Sequence, residues 1–377
     1  MKKIYIFTLL LFLFACGKGR DIVKQQSAKT SISGDPYTVA MEYATAFEVS
    51  GFTSEKDYNE ALSGLDDVLS KDKTNADAWF NMGRILFYKK EISKAKDALN
   101  KAITNRGNFA EAYSLLTKIY LFEGNISGAQ ALAEQANEIV PDNNILMNNL
   151  AILYIKSGKL DSAKKIAEKI VRKNTKFTPA YTTLGNIYYL SGKYEMARFI
   201  YLKAIDEEDN SGEIYTNLGI IADKLDDRNS ALGLLTKAVE KSPGNAYVHN
   251  NLGEYYLLAG DYDSSIKEFN DALKINPRMI EALVNLAIAY THVKLFNEAE
   301  DNYKKALTYD PSFPEAYFNY GVFLSDHREQ NEEALEYFNK FIVLKGKEIS
   351  DKHRVYRYIE QVNQKKKEKA RDKEAEQ

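Results

Sequence analysis

The sequence predicts an all-α solenoid, a stack of helix pairs whose hydrophobic core extends along one axis. Three observations carry that prediction. A pattern of apolar and small residues recurs every 34 residues, without a break in register, from residue 76 to about residue 348. The composition favours long helices, with only 7 prolines in 377 residues against 45% hydrophobic and 28% charged positions, so helix breakers are scarce. The chain is also longer than one three-dimensional core supports, because single cores stop growing near roughly 250–300 residues. A core that grows by repetition escapes that limit.

The elements follow in chain order. Lys2 and Lys3 precede an apolar run from Ile4 to Ala15, the basic and hydrophobic regions of a signal peptide over residues 1–15. As a helix, a run of that length rises only about 18 Å, short of the ~30 Å hydrocarbon core, so a spanning anchor is not expected. The chain's one cysteine, Cys16, follows Leu13-Phe14-Ala15 directly. A single cysteine excludes an intramolecular disulfide and a cysteine-cluster metal site. The stretch Leu13-Phe14-Ala15-Cys16 resembles the lipobox of bacterial lipoproteins: an aliphatic residue, two further positions ending in a small one, then cysteine. That resemblance implies lipidation of Cys16 and attachment to a membrane of the bacterial cell envelope, where several buried acyl chains anchor stably at about 0.8 kcal/mol per CH₂. Gly17 does not match the aspartate retention signal of enteric lipoproteins, so the expected site is the outer membrane, facing the periplasm. An ordinary secretory signal with an unrelated cysteine is the alternative. Residues 16–35 are polar and rich in Ser, Lys and Gly, and read as a flexible tether.

From residue 76 the repeat decides the architecture. AEAYSLLTKIYLFEGNISGAQALAEQANEIVPDN, from Ala110, and IEALVNLAIAYTHVKLFNEAEDNYKKALTYDPSF, from Ile280, share one skeleton. The fourth residue is aromatic or apolar, the seventh Leu, the eighth small and the eleventh Tyr; Ala follows at twenty, a small residue at twenty-seven and Pro at thirty-two. Repeats start at 76, 110, 144, 178, 212, 246, 280 and 314, covering residues 76–348. Position eight reads Gly83, Thr117, Ala151, Gly185, Gly219, Gly253, Ala287 and Gly321; position twenty is Ala or Ser throughout, with Ala334 displaced by one in the last repeat. Positions 4, 7, 8 and 11 share one face of a first helix, and 20, 24 and 27 one face of a second. Small residues at 8 and 20 let the two helices approach. Gly124, Gly158, Gly192 and Gly260 fall between them, where a residue with φ > 0 ends the first helix. Pro141, Pro243, Pro277 and Pro311 end the second.

This skeleton resembles the tetratricopeptide repeat. The resemblance implies a right-handed α-solenoid superhelix of eight to nine helix pairs, with first helices lining an inner groove through positions 2, 5, 6, 9, 12 and 13. Upstream, Ala61, Leu65 and Val68 match positions 20, 24 and 27 of a degenerate N-terminal repeat over residues 36–75, whose first helix takes Ala44, Phe47 and Gly51. Downstream, Val355, Tyr358, Ile359 and Val362 sit at helical spacing in a capping helix over residues 349–364. Residues 365–377 are nearly all charged or polar and read as a disordered tail.

The residue inventory points away from catalysis. A formal net charge of −2 argues against a nucleic-acid binder. His249, His292, His327 and His353 are scattered without metal-ligand spacing or a nucleophile motif, so no metal and no cofactor is expected. His249 takes a fourth position and reads as packing. No phosphate-binding glycine loop and no GxSxG elbow occurs.

The candidate site is the groove. Position six is asparagine in six of eight repeats: Asn81, Asn149, Asn217, Asn251, Asn285 and Asn319, with Leu115 and Thr183 in the others. An amide donates and accepts, so such a ladder can pair with the backbone of an extended chain. It is similar to the asparagine ladder of the O-linked N-acetylglucosamine transferase repeat domain; bonding to neighbouring helices alone is the alternative. Arg84, Lys118, Tyr189 and Tyr247 flank it with basic and aromatic groups. The expectation is a non-catalytic scaffold binding an extended peptide or partner helix of a protein partner. A pilotin-like assembly factor for a pilus or secretion secretin, and a carbohydrate- or cell-wall-binding accessory factor, are the alternatives.

Overall fold

The computed structural model describes residues 55–207, 211–346, 349–350 and 353–375. Every regular element among them is helical: 18 α-helices and one π turn, with no strand. The signal peptide, Cys16, the tether and the first helix of the degenerate N-terminal repeat lie outside the described residues. No described helix is long and apolar enough to cross a membrane.

The helices fall into two compact units, divided after residue 208. The N-terminal unit holds α1 (Glu55–Lys71), α2 (Ala76–Tyr88), α3 (Ile92–Asn105), α4 (Ala110–Phe122), α5 (Ile126–Ile139), α6 (Asn144–Lys156), α7 (Leu160–Lys173), α8 (Thr178–Leu190) and α9 (Tyr194–Asp206). The C-terminal unit holds α10 (Gly212–Lys224), α11 (Arg228–Lys241), α12 (Ala246–Ala259), α13 (Tyr262–Ile275), α14 (Ile280–His292), α15 (Phe296–Tyr309), α16 (Pro314–Phe323), a π turn (Leu324–Arg328), α17 (Asn331–Lys345) and α18 (Arg354–Ala375). First helices begin at Ala76, Ala110, Asn144, Thr178, Gly212, Ala246, Ile280 and Pro314. Within each unit a first helix packs on its own second helix and on the first helix of the next repeat.

Local chemistry sets the boundaries. Asn75, Asn143 and Asn245 cap α2, α6 and α12 by accepting from backbone N–H groups within the first turn, which satisfies donors the helix leaves open. Each first helix ends on a left-handed residue. Gly158 (φ +73°) does this at no steric cost, while Lys90 (φ +62°), Asp226 (φ +60°) and Lys294 (φ +63°) do it with a side chain, a conformation that crowds Cβ.

Close approach of the paired helices explains the small residue at position eight. A Cβ added to Gly83, Gly219, Gly253 or Gly321 would come within 2.7–2.8 Å of the side chain at position twenty-four, which is Leu99, Leu235, Phe269 or Phe338. At Gly185 it would meet the Tyr201 ring at 2.6 Å. In two of the three repeats where position eight is larger, Thr117 and Ala151, position twenty-four shrinks to Ala133 and Ala167; the third sets Ala287 against Tyr303. Volume is exchanged across the pair so that each layer stays filled.

The last repeat carries one extra residue, absorbed as the π turn Leu324–Arg328. This shifts the left-handed residue to Glu329 (φ +55°) and accounts for the displaced Ala334. Arg328 pins the turn by donating to Glu300 Oε2 at 3.0 Å and Asn297 Oδ1 at 2.7 Å.

The capping helix buries Val355 and Val362 completely and sets Tyr358 against Phe318 and Phe338. Beyond it the structure differs from the expected disordered tail: α18 continues to Ala375. Lys365 Nζ reaches the Ser325 carbonyl and Asp326 at 3.3 Å, and Lys366 pairs with Glu332 at 3.2 Å. The docked part supplies the nucleus, and a Lys-, Glu- and Ala-rich segment propagates it at little cost. At the other end, Ala61, Leu65 and Val68 of α1 are buried against the first full repeat.

Candidate functional site

The first helices of each unit present the candidate residues, and their backbone register determines which side chains reach solvent. At position six, Asn81, Asn217, Asn285 and Asn319 are at most 5% exposed, while Asn149 and Asn251 are half-buried. Several position-six groups bond to the preceding first helix at position five. Asn149 Nδ2 donates to Ser114 Oγ at 2.7 Å, Thr183 Oγ1 to Asn148 Oδ1 at 2.8 Å and Asn285 Nδ2 to Asn250 Oδ1 at 3.4 Å. Asn251 and Asn319 instead donate to carbonyls one turn back, those of Tyr247 and Glu315. The Asn81 amide oxygen accepts from Arg84 Nη1 at 3.2 Å. The amides thus tie neighbouring first helices and their own turns together.

Solvent meets a different register. Position thirteen, near the end of the first helix, is large, apolar and exposed in four repeats: Tyr88 (46% exposed), Phe122 (65%) and Leu190 (43%) in the N-terminal unit, and Leu258 (52%) in the C-terminal unit. Phe87 braces the first two, with ring centroids 6.0 Å from Tyr88 and 5.8 Å from Phe122. At position nine Arg84 and Lys118 are partly exposed, and the Arg84 guanidinium lies 5.6 Å over the Phe80 ring. Tyr189 is largely buried against Tyr194, 5.4 Å away. The N-terminal unit therefore offers an aromatic and cationic face.

The C-terminal unit offers an apolar face with partly desolvated acids. Glu254 keeps part of its stem in solvent, yet enough protein surrounds its carboxyl that burial raises it to about 7, Asp223 adding to the rise and Lys224 opposing it. Burial also raises the Glu281 carboxyl and the Tyr247 phenol. His292 stacks on Tyr262 at 4.5 Å, and burial, with His327 beyond it, lowers its imidazole.

One constellation escaped the sequence reading. His249 Nδ1 lies 2.8 Å from Glu268 Oε2 and its Nε2 lies 3.1 Å from the Pro243 carbonyl. Asp271 completes a group whose ligand atoms all lie within 4.8 Å of one another. His249 lies 19 residues before Glu268 in the chain, so no local motif joins it to the two acids.

The tetratricopeptide repeat pattern matches residues 52–119, 120–187, 178–210, 216–280, 280–313 and 302–336, well over half of the chain. No curated protein matches this sequence. Among solved structures, the chain is similar to that of the APC/C hetero-tetramer Cut9–Hcn1, at 14% identity over 87% of this chain and 66% of that one, with a TM-score of 0.57. It is also similar to a tetratricopeptide repeat protein from Parabacteroides merdae, at 17% identity over 68% of this chain and 99% of that one, with a TM-score of 0.55. At these identities the likeness concerns the fold. Together with the register of its eight helix pairs, the matches establish that the chain belongs to the tetratricopeptide repeat family.

Proposed function

We propose that this protein is a non-catalytic scaffold lipoprotein of the bacterial cell envelope, anchored through Cys16, that binds an extended peptide or a helix of a protein partner. One observation carries the binding reading. Large apolar side chains at position thirteen stay exposed in four of the eight repeats, with Tyr88, Phe122, Leu190 and Leu258 between 43% and 65% accessible, while Lys156, Lys224, His292 and Asp326 take that position in the others. Isolated exposed apolar groups are ordinary, but a recurring set on equivalent turns marks an interaction surface. In this reading the half-buried Asn149 and Asn251 amides and the Arg84 and Lys118 cations orient the bound segment, and the buried asparagines hold the first helices in place.

The reading is tested by chemical cross-linking in intact cells followed by identification of the attached protein. A Tyr88→Ala/Phe122→Ala variant is expected to lose the cross-linked partner. A control altered on the second-helix surface, Met196→Ala/Phe199→Ala, is expected to keep it; the reverse result moves binding to the second-helix face. For the anchor, Cys16→Ser is expected to abolish incorporation of a labelled fatty acid and to release the protein from the membrane fraction. Continued membrane association of that variant argues against a lipid anchor.

A further inference from the structure

We propose that His249, Glu268 and Asp271 form a binding site for a zinc-class divalent cation that ties α12 to α13 within one repeat. The argument begins from the repeat's own rule. In other repeats position four is apolar or aromatic, as Trp79, Tyr113, Met147 and Tyr181, and position twenty-three is uncharged: Ala98, Leu132, Ile166, Ile200 and Leu234, with Asn302 in the repeat that follows. Position twenty-six is Lys101, Lys169, Lys203, Lys237 or Lys305, with Gln135 in the repeat starting at Ala110. In two repeats the lysine at twenty-six covers the ring at four: Lys101 Nζ lies 4.1 Å from the Trp79 centroid and Lys237 Nζ 4.5 Å from that of Tyr215.

The repeat starting at Ala246 breaks all three positions at once. The ring becomes His249, the apolar residue becomes Glu268, and the lysine is reversed in charge to Asp271. A cation–π pair has been replaced by three metal-ligating groups. A joint departure from a local pattern, where each change alone buries an ionisable group without gain, marks a site rather than drift. His249 is 8% exposed and Glu268 6%, so water does little to solvate them.

The histidine is oriented as a ligand. Its Nε2 faces the Pro243 carbonyl at 3.1 Å, which only accepts, so Nε2 carries the hydrogen. Its Nδ1 shares a hydrogen with Glu268 Oε2 across 2.8 Å, and a dication entering between the two takes the place of that hydrogen. Metal-bound histidines commonly donate their other ring N–H to a carbonyl or carboxylate, which sets the tautomer and ring angle. One imidazole nitrogen and two carboxylates form a borderline donor set that suits zinc and its first-row neighbours, and lacks the thiolates that select softer ions. The three ligand atoms lie within 4.8 Å of one another, so small rotations of the carboxylates bring them around one ion.

Two lysines compete for the same oxygens. Lys267 Nζ lies 2.8 Å from Glu268 Oε1 and Lys274 Nζ 2.7 Å from Asp271 Oδ1, with side chains 71% and 76% exposed. Both lysine ends are solvated and their pairing is screened by salt, so an arriving dication displaces them.

The test is calorimetric titration of the metal-stripped protein with zinc chloride, with a parallel thermal melt. The expected result is one zinc per chain at micromolar affinity or tighter, with a raised melting temperature. His249→Gln and Asp271→Asn are each expected to weaken binding at least about ten-fold, and His327→Gln to leave it unchanged. Lys267→Ala/Lys274→Ala is expected to tighten binding, which a purely structural ion-pair cluster does not predict. Asp271 is only half-buried, so Asp271→Asn keeps the test decisive even if His249→Gln fails to fold. Absence of saturable binding overturns the proposal. So does zinc binding of equal strength in Asp271→Asn.

Discussion

Replacing Gly185 by alanine probes the packing rule directly. The new Cβ would lie 2.6, 2.8 and 2.9 Å from three atoms of the Tyr201 ring, distances that real Cβ atoms do not tolerate. The ring has no room to swing away: Tyr201 is fully buried and its hydroxyl donates to Asn186 Oδ1. Overpacking of this kind costs about 1–3 kcal/mol, and the better helix propensity of alanine returns up to about 1 kcal/mol. The net expectation is a loss of about 1–2 kcal/mol. Gly233→Ala is the matched control, because Gly233 is exposed in mid-helix with nothing within 4 Å of an added Cβ; it should stabilise by about 0.5–1 kcal/mol. A double-mutant cycle isolates the cause. In a Tyr201→Ala background the clash disappears, so Gly185→Ala should turn from destabilising to stabilising. Urea unfolding gives the free energies, and native-state hydrogen exchange should show the loss concentrated in α8 and α9, since repeat stability is a sum of local and nearest-neighbour terms. A neutral or stabilising Gly185→Ala in the wild-type background would contradict the packing rule, as would an unchanged penalty without Tyr201.

Three further expectations follow from the same structure. Thr183→Val keeps the side-chain shape but leaves the buried Asn148 Oδ1 without the donor now 2.8 Å away; it should cost about 1–3 kcal/mol in urea unfolding, whereas an unchanged midpoint would mean water reaches the site. Lys294→Gly relieves a left-handed backbone (φ +63°) and Gly158→Ala imposes a side chain on one (φ +73°), so the pair should shift stability in opposite directions by about 1 kcal/mol each. The Glu254 carboxyl, raised to about 7 in the folded chain from an ordinary 4.5, makes the folded state bind more protons than the unfolded one between those values. Its contribution is therefore favourable below about pH 4.5 and is lost as pH rises towards 7; Glu254→Gln should flatten that part of the stability–pH profile, and an identical slope in the variant would assign it to another group.

Much of the packing was legible in the chain because the repeat compares each position with seven others. Gly83, Gly185 and Gly219 stand against Leu99, Tyr201 and Leu235, and Thr117 and Ala151 against Ala133 and Ala167; volume compensation across a fixed spacing can be read without coordinates. The displaced Ala334 likewise reported an extra residue, though not that a π turn absorbs it. Lys90, Asp226 and Lys294 were illegible as left-handed residues, since side-chain type does not announce a strained φ that neighbouring helices impose. The C-terminal tail was misread for a related reason: charge suggested solvent, while docking of Val355 and Val362 extended a helix that its residues sustain.

The periodic framework is written in the chain: helix starts, the small residues that let helices approach, and the family. These depend on side-chain volume and polarity at fixed spacing, which the chain carries directly. What the asparagines do and which residues meet His249 come from the packing of helices in three dimensions. Asn81, Asn217, Asn285 and Asn319 lie on the predicted face yet are buried: Asn285 bonds to Asn250 of the preceding first helix, while Asn81 and Asn319 bond within their own helices. Glu268 and Asp271 reach His249 because α13 folds back on α12. Burial and convergence belong to the distances between helices, and a one-dimensional pattern specifies which residues face a neighbour without specifying how near that neighbour comes.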